Sequence, residues 1–465
     1  MGRVSSRLPS TPPPAAAPGT PGAPGGDPVR TGLRVAVQAL AAVVAGYVAM
    51  GVTAALGLWA AGAADLPGGF AAVLAAVVVM AAGGQVEITG SAGAFAGTEG
   101  ELTAMPLTVT LVGALVTGAV FLRPLRHHAV ARAGDLAARA GAVVALWLAV
   151  LAGLCAVARH DFPLTLGVGD SQEPLADLFG ELLDATDPTV GFRTVVGATL
   201  GYGLLWILGV LLVALLVSRR SALPARVLRY QEAVRPAASA MLLLLLAYVA
   251  VGLVIGLVVA ATKGHAAETF AVLLLGLPNV SWLALGVGIG GSWEGTVEGP
   301  FGLPMPQILD AVLRGGDGSG LSTVDLSSLA AEDGRAWWLL PIAAVLVLAA
   351  AFVAAVRSPA RVRPWQHALH VGVAFALTML AVAPLTLVEA RFGLSILGIG
   401  DLAALGGEVV LRPDVWRTVG LALLWGLVAG FLGGLLATRT RHHGQLPSED
   451  SEDSEDSEDS EVSEG

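Results

Sequence analysis

Ten apolar stretches alternate with short polar segments over most of the chain, and their lengths indicate the fold class. They cover residues 34–61, 69–84, 105–122, 140–158, 193–217, 237–262, 270–290, 336–356, 368–388 and 415–438. Because a helix needs about 20 apolar residues to cross a bilayer, this pattern predicts an all-α polytopic transmembrane helical bundle. The second stretch is short for a crossing, and Pro278-Asn279 interrupts the seventh.

The distribution of arginine predicts which stretches cross. If all ten crossed, the arginine-rich loops 123–139 and 219–235 would both lie outside, against the tendency of short basic loops to stay in the cytoplasm. If stretches two and seven instead enter and leave on the outer side, 18 of the 26 basic residues lie inside. We therefore expect eight spans, two re-entrant or half-length helices, and both termini on the cytoplasmic side of the cell membrane.

Six short matches, in the same order, predict an internal duplication. They pair Tyr47–Gly51 with Tyr248–Gly252, Phe70 with Phe270, Gly90 with Gly290, Met105-Pro106 with Met305-Pro306, Phe162–Asp170 with Phe392–Asp401, and Phe192–Val195 with Trp416–Val419. The expected halves, 31–236 and 237–441, each contain an even number of spans and so have the same orientation. Such parallel repeats frame a pathway in some transporters, although a duplicated scaffold without a pathway is the open alternative.

Composition supports a membrane protein and separates the two tails from it. The chain is 55% hydrophobic and 13% charged, against about 25% charged residues in soluble domains. Residues 1–30 are rich in Pro, Gly and Ala, and residues 442–465 repeat Ser-Glu-Asp. We expect both to be disordered, because they cannot bury enough apolar surface to fold. Cys155, the single cysteine, excludes a disulfide framework.

The breaks in stretches two and seven are the candidate functional positions. Gly84 and Gln85 follow the second stretch, and Pro278, Asn279 and Ser281 interrupt the seventh. Irregular backbone at membrane depth is tolerated only where protein or water covers it, so these five residues are predicted to line a channel- or transporter-like pathway. A simple structural kink is the alternative.

A second hypothesis is a non-transporting envelope or scaffold protein. It would bind a partner through the acidic outer segments 161–187 and 294–333, or through the acidic tail. No nucleophile–base arrangement, phosphate-binding loop or metal-ligand spacing is found in the sequence. We therefore expect no enzyme activity, no cofactor, no metal and no nucleic-acid partner, with the lipid bilayer as the one partner that the sequence indicates.

The repeated outer motifs carry a family resemblance. With Phe162–Asp170 and Phe392–Asp401, the Arg-Thr-Val pair at 193–195 and 417–419, and its arginine-rich short loops, the chain resembles the streptophobe family of very hydrophobic Streptomyces membrane proteins. The resemblance covers about residues 31–440 and leaves out both tails. It implies a membrane-embedded fold and no known activity, so it assigns no site residues.

Overall fold

A computed structural model of the protein describes residues 28–65, 68–92, 96–124, 133–163, 189–218, 225–298, 311–313, 322–359, 362–396 and 407–443. The predicted disordered arm and acidic tail lie almost wholly outside these ranges, as does most of the acidic segment 161–187. The structural account below concerns the described ranges.

Helices make up most of the described chain and follow the apolar stretches. In chain order they are α1 (Pro28–Ala60), α2 (Phe70–Ala81), α3 (Leu107–Leu122), α4 (Ala133–Val157), α5 (Val196–Val217), α6 (Ala225–Thr262), α7 (Ala266–Gly288), α8 (Leu326–Glu332), α9 (Leu339–Arg357), α10 (Pro364–Val382) and α11 (Val415–His443). Eight described helical segments are long and apolar enough to cross a membrane; they include α7, which was expected to be re-entrant, whereas α3, which was expected to cross, is shorter. The predicted polytopic helical bundle is thus confirmed.

The first helix illustrates how the bundle meets lipid. Large apolar side chains recur every three or four residues along one face of α1 and are each 49–69% exposed: Leu33, Val37, Leu40, Val44, Val48, Val52, Leu56 and Trp59. Its opposite face is buried in the bundle and is rich in small residues, among them Ala39, Ala42 and Ala54. A continuous exposed apolar stripe of this length suits a surface solvated by acyl chains rather than by water.

The structure adds an eight-stranded antiparallel sheet that the sequence analysis did not predict. Its strands are β1 (Val86–Ala92), β2 (Ala96–Ala104), β3 (Arg159–Pro163), β4 (Thr189–Thr194), β5 (Trp293–Glu298), β6 (Ser322–Val324), β7 (Val388–Ile396) and β8 (Gly407–Pro413). The strand order is β3-β4-β1-β2-β7-β8-β5-β6. Nine residue pairs between β2 and β7 join the strands of the first half to those of the second.

All sheet strands connect to helix ends on one side of the bundle. Helices α3, α5 and α11 each begin within three residues of a strand's end, and α4 ends immediately before β3. Exposed tryptophans, which favour both membrane–water interfaces, lie at the end of α1 and at the starts of α9 and α11 (Trp59, Trp338 and Trp416), and Trp365 lies at the start of α10 on the opposite side. The described chain ends, at the start of α1 and the end of α11, therefore lie on the side opposite the sheet.

Connectivity shows that α2 and α7 enter and leave on the sheet side, as expected of re-entrant elements. Helix α7 starts three residues after α6 reaches that side, and only residues 289–292 separate its end from β5. Four residues span at most about 14 Å, whereas a hydrocarbon core is about 30 Å thick. Both ends of α7 therefore lie toward the sheet, although its 23 residues are long enough for a crossing, and the same argument holds for α2, which ends four residues before β1.

The two halves of the sheet repeat one arrangement. The first half contributes the strand order β3-β4-β1-β2, and the second half contributes β7-β8-β5-β6. Strands β5 to β8 thus occupy the same relative places as β1 to β4, respectively. The turns after α2 and α7 also match. Gly83 (φ +90°) and Gly290 (φ +93°) have left-handed backbones, and the N–H groups of Gly84 and Gly291 each donate to the carbonyl five residues back, at 3.0 and 2.8 Å.

Two of the sequence matches do not occupy equivalent positions. The partner of Gly290 is Gly83, whereas Gly90 lies inside β1 opposite Thr98. Phe192–Thr194 lies in β4, but Trp416–Val419 lies in the first turn of α11. The predicted boundary at residues 236 and 237 also falls inside α6, which begins at Ala225.

Glycines on α11 allow α10 and α11 to pack at backbone distance. A Cβ atom on Gly426 would lie 2.6 Å from the Cα of Gly372, and one on Gly430 would lie 2.9 Å from the Cα of Ala368. The corresponding pair on α5, Gly197 and Gly201, has no neighbouring atom within 4 Å of such a Cβ. Close packing of helices through small residues therefore occurs between α10 and α11 and not at the Gly197 and Gly201 pair of α5.

Candidate functional site

The first two predicted pathway residues lie in the turn between α2 and β1. A Cβ on Gly84 would meet Val79 and, at 3.0 Å, the hydroxyl of Thr199 on α5. Gly84 is buried and Gln85 is half-buried, and the Gln85 carbonyl accepts the Val195 N–H at 3.3 Å. These contacts fix the turn against the start of α5, within the first half of the protein.

The break in α7 is occupied by a side chain from the other half. Pro278 has no N–H and cannot donate to the preceding turn. Leu277 precedes Pro278, and its N–H donates to the hydroxyl of Thr108 on α3 at 3.0 Å. The same hydroxyl donates to the Leu273 carbonyl at 3.0 Å. The hydroxyl thus bridges a helical donor and acceptor, which is one of the known causes of a local helix opening.

Asn279 completes this joint between the halves. Its side-chain oxygen accepts the Leu107 N–H at 3.1 Å, and its side-chain nitrogen donates to the Met105 carbonyl at 2.9 Å. Leu107 is the first residue of α3, whose opening N–H groups have no partner within the helix. The Asn279 amide therefore caps α3 and also binds the backbone that links α3 to β2.

Ser281 has a different environment. Its hydroxyl is buried, lies against Gly252 of α6, and has no hydrogen-bond partner among the described residues. The hydroxyl of Tyr248, one turn before Gly252 on α6, is likewise buried and unpartnered there. Buried polar groups without partners are costly, so these two hydroxyls mark a polar position inside the second half.

The predicted pathway residues thus have different environments in the structure. Gly84 and Gln85 pack within the first half, and Pro278 and Asn279 lie where α7 contacts α3. Thr108 was missed by the sequence analysis. Its signal was weak, because a threonine near a helix start is common and only the tertiary structure brings it to the break at Pro278.

The sheet has one apolar and one charged face. Val86, Leu102, Ala390 and Val409 face one another across β1, β2, β7 and β8, and three of the four are buried. The neighbouring row begins with Glu87 and continues on β2 and β7 through Glu101 and Arg391. Glu101 and Arg391 are exposed, so the charged face is directed to solvent.

An arginine lies beside two acidic side chains in the first half of this face. Arg193 on β4 is opposite Glu87 on β1, and its Nε donates to the Glu87 carboxylate at 2.9 Å. Asp161 on β3 is the diagonal neighbour of Arg193, because it pairs with Gly191 two residues away. The Arg193 side chain is 67% exposed, which limits such an ion pair to about 1 kcal/mol or less.

The second half has the same arrangement of one arginine and two acids, but its arginine pairs with the other acid. Arg412 on β8 is opposite Glu294 on β5, and Glu389 on β7 is its diagonal neighbour. Here the arginine binds the diagonal acid, with its Nε 2.6 Å from the Glu389 carboxylate. Among the described residues, Asp161 and Glu294 form no ion pair, so each half exposes one acid beside a paired arginine.

A period-two pattern could have revealed these strands. Residues 86–89 read Val-Glu-Ile-Thr and 293–297 read Trp-Glu-Gly-Thr-Val, and such alternation is typical of a sheet with one buried face. The segments are short and lie between long apolar runs, so the alternation does not stand out from the pattern that predicts the spans.

Comparisons with protein-family models, with curated proteins and with solved structures found no match to this chain. The resemblance to the streptophobe family therefore stays a prediction. Within the described ranges, no group of three His, Cys, Asp or Glu side chains is placed to hold a metal ion.

Proposed function

We propose that the chain consists of two equivalent halves embedded in the cytoplasmic membrane, with both termini in the cytoplasm and the sheet outside. The repeated strand order and the matched glycine turns support the equivalence. The orientation is supported by exposed arginines at helix ends opposite the sheet, among them Arg34, Arg357 and Arg363, since basic residues favour the cytoplasmic side.

In this proposal the protein is a non-transporting platform that presents its outer sheet to another component of the cell envelope. One observation carries it: a charged row runs across the joint between the halves, from the half-buried Glu87 to the exposed Glu101 and Arg391. A charged surface of this kind orients and selects a partner through complementary charge. The Thr108 hydroxyl occupies the helix break that predicted a pathway, and Asn279 of that break binds the start of α3.

Site-specific photocrosslinking in native membranes tests the platform. A photoreactive residue replaces Glu101 or Glu294, both exposed on the charged face, and the matched control replaces Leu205, a 66% exposed apolar residue of α5. We expect one discrete protein adduct from the two sheet positions and none from the control. Adducts of the same pattern from all three positions, or from none, would contradict the proposal.

A transport pathway is the second candidate, and the buried, unpartnered hydroxyls of Tyr248 and Ser281 favour it. Hydroxyls that lack a protein partner can bind water or a permeating species. Flux of ions or small polar solutes through liposomes containing the purified chain tests this candidate. Flux that falls in the Ser281→Ala and Tyr248→Phe variants would support a pathway, and the absence of flux above that of empty liposomes would exclude it for the solutes tested.

A further inference from the structure

A buried arginine lies at the end of the bundle opposite the sheet. Arg139 on α4 is only 8% exposed and is 18 residues from the end of α4 at Val157, or about 27 Å along the axis. That distance approaches the thickness of the hydrocarbon core, about 30 Å. Arg139 therefore lies at the depth where acyl chains give way to lipid headgroups.

The partner of Arg139 in the protein is neutral. The guanidinium donates to the side-chain oxygen of Gln38 on α1, and it forms no ion pair among the described residues. A guanidinium has five N–H donors, and a buried charge is strongly disfavoured unless it is paired. Among the described side chains, the arrangement thus provides a desolvated cation with spare donors beside a neutral amide, and Asp135 lies one turn earlier on the same helix.

A second arginine lies on the same face of α1. Arg34 is four residues before Gln38, one turn closer to the helix start, and residues with this spacing lie one above the other. It is exposed, as expected for a side chain that extends from the bundle edge toward the headgroup region. Gln38, Arg139 and Arg34 therefore provide an amide and two guanidinium groups along the seam between α1 and α4.

We infer that this seam is a binding site for a phosphate group, contributed by an anionic lipid of the adjoining leaflet. A guanidinium binds phosphate through two parallel hydrogen bonds, and basic pockets between transmembrane helices are suited to anionic headgroups. The phosphate neutralises Arg139, and the exposed Arg34 approaches it from the water side. A soluble phosphate has the same binding chemistry, so the experiment must distinguish the two sources.

Native mass spectrometry of the detergent-purified full-length chain measures this binding directly. The probes are phosphatidylglycerol, phosphatidylcholine and inorganic phosphate. We expect the wild type to bind phosphatidylglycerol at least about tenfold more tightly than phosphatidylcholine, which corresponds to about 1.4 kcal/mol. Arg139→Gln should lose this preference, and Arg139→Lys, which keeps the charge without the planar fork, should keep part of it.

The matched control is Arg357→Gln. Arg357 lies at the same side of the bundle but is exposed, with its Nη1 3.5 Å from the Ser239 hydroxyl, so its loss should leave the lipid preference intact. Arg139-dependent binding of inorganic phosphate, with no preference between the lipids, would identify the ligand as soluble phosphate. Equal binding by the wild type and Arg139→Gln, or equal loss in Arg357→Gln, would overturn the site. If Arg139→Gln fails to fold, the comparison of wild type, Arg139→Lys and Arg357→Gln decides.

Discussion

At the scale of single residues, a few polar side chains replace backbone hydrogen bonds that the helices leave open. Thr108 bridges Leu277 and Leu273 beside Pro278, and Asn279 caps the start of α3. Each contact joins residues more than 160 positions apart in the chain. These two side chains therefore connect the halves inside the bundle, separately from the β2–β7 pairing outside it.

Thr108→Val and Asn279→Leu should each lower the free energy of unfolding by about 1–3 kcal/mol, because each leaves buried donors or acceptors without partners. Thermal unfolding of the purified protein in detergent measures the effect. The control is Thr378→Val, whose hydroxyl bonds only the Ala374 carbonyl of its own helix and whose loss should have a smaller effect. Equal effects at positions 108 and 378 would contradict the role assigned to Thr108.

At the scale of elements, close helix packing and helix capping depend on different features. Packing of α10 on α11 needs glycine, because the two backbones approach within the space that a Cβ would occupy. The short helix α8 instead depends on its N-cap. The Asp325 carboxylate accepts the Ser328 N–H at 2.8 Å, and the Ser328 hydroxyl lies 2.9 Å from the Asp325 N–H, forming a capping box.

Gly430→Ala should destabilise the bundle by about 1–3 kcal/mol, the usual range for overpacking, since the new Cβ would lie 2.9 Å from the Cα of Ala368. Gly201→Ala supplies the control, because it has the same chemistry on α5 with no atom within 4 Å. That change should be neutral or slightly stabilising, as alanine is the better helix former. Melting temperatures in detergent compare the two, and an equal loss in both would refute the packing argument.

The cap of α8 should weaken in acid. Partial burial opposes the charge of Asp325, but hydrogen bonds from Ser327 and Ser328 outweigh it and lower the pKa of its carboxyl group. A lowered pKa stabilises the folded state above the ordinary value of about 3.9, and this contribution is lost as the pH falls below it. Hydrogen-exchange protection factors of α8 should therefore be steady from neutral pH down to about pH 5 and fall as the pH drops below about 3.9, and Asp325→Ala should show the low protection already at neutral pH. Protection that does not change with pH would contradict this.

At the scale of the whole molecule, the helical bundle supports a sheet that spans both halves. Helices α2 and α7 each end a few residues before a strand of this sheet, β1 and β5. Because β2 pairs with β7 over nine residues, the sheet joins the halves outside the bilayer. The arrangement predicts which positions are accessible from each side of the membrane.

Single cysteines in a Cys155→Ser background test this arrangement in intact cells. Cysteines at Glu101 and Glu294 should react with a membrane-impermeant maleimide from outside, because both positions are exposed on the sheet. A cysteine at Arg363, exposed at the opposite side, should react only after permeabilisation. The reverse pattern would invert the proposed orientation, and labelling of all three from outside would contradict the single-sided sheet.

How much could be predicted depends on the length of the pattern that carries the information. The helical bundle follows from long apolar runs. The strands follow from alternations of only four or five residues, such as Val86–Thr89, which the flanking runs obscure. The contacts of Thr108 and Asn279 could not be predicted, because nothing in the local sequence of either residue indicates a partner more than 160 positions away in the chain.

The sequence by itself determined the solvent of this protein and its class, a bundle of several apolar helices. These properties depend on transfer free energies summed over about 20 residues per span, and such sums are large and local in sequence. Only the tertiary structure decided which face of the sheet is charged, which acid each arginine binds, and what occupies the break at Pro278. Those outcomes depend on single contacts of about 1 kcal/mol between residues far apart in the chain, and no local pattern specifies them.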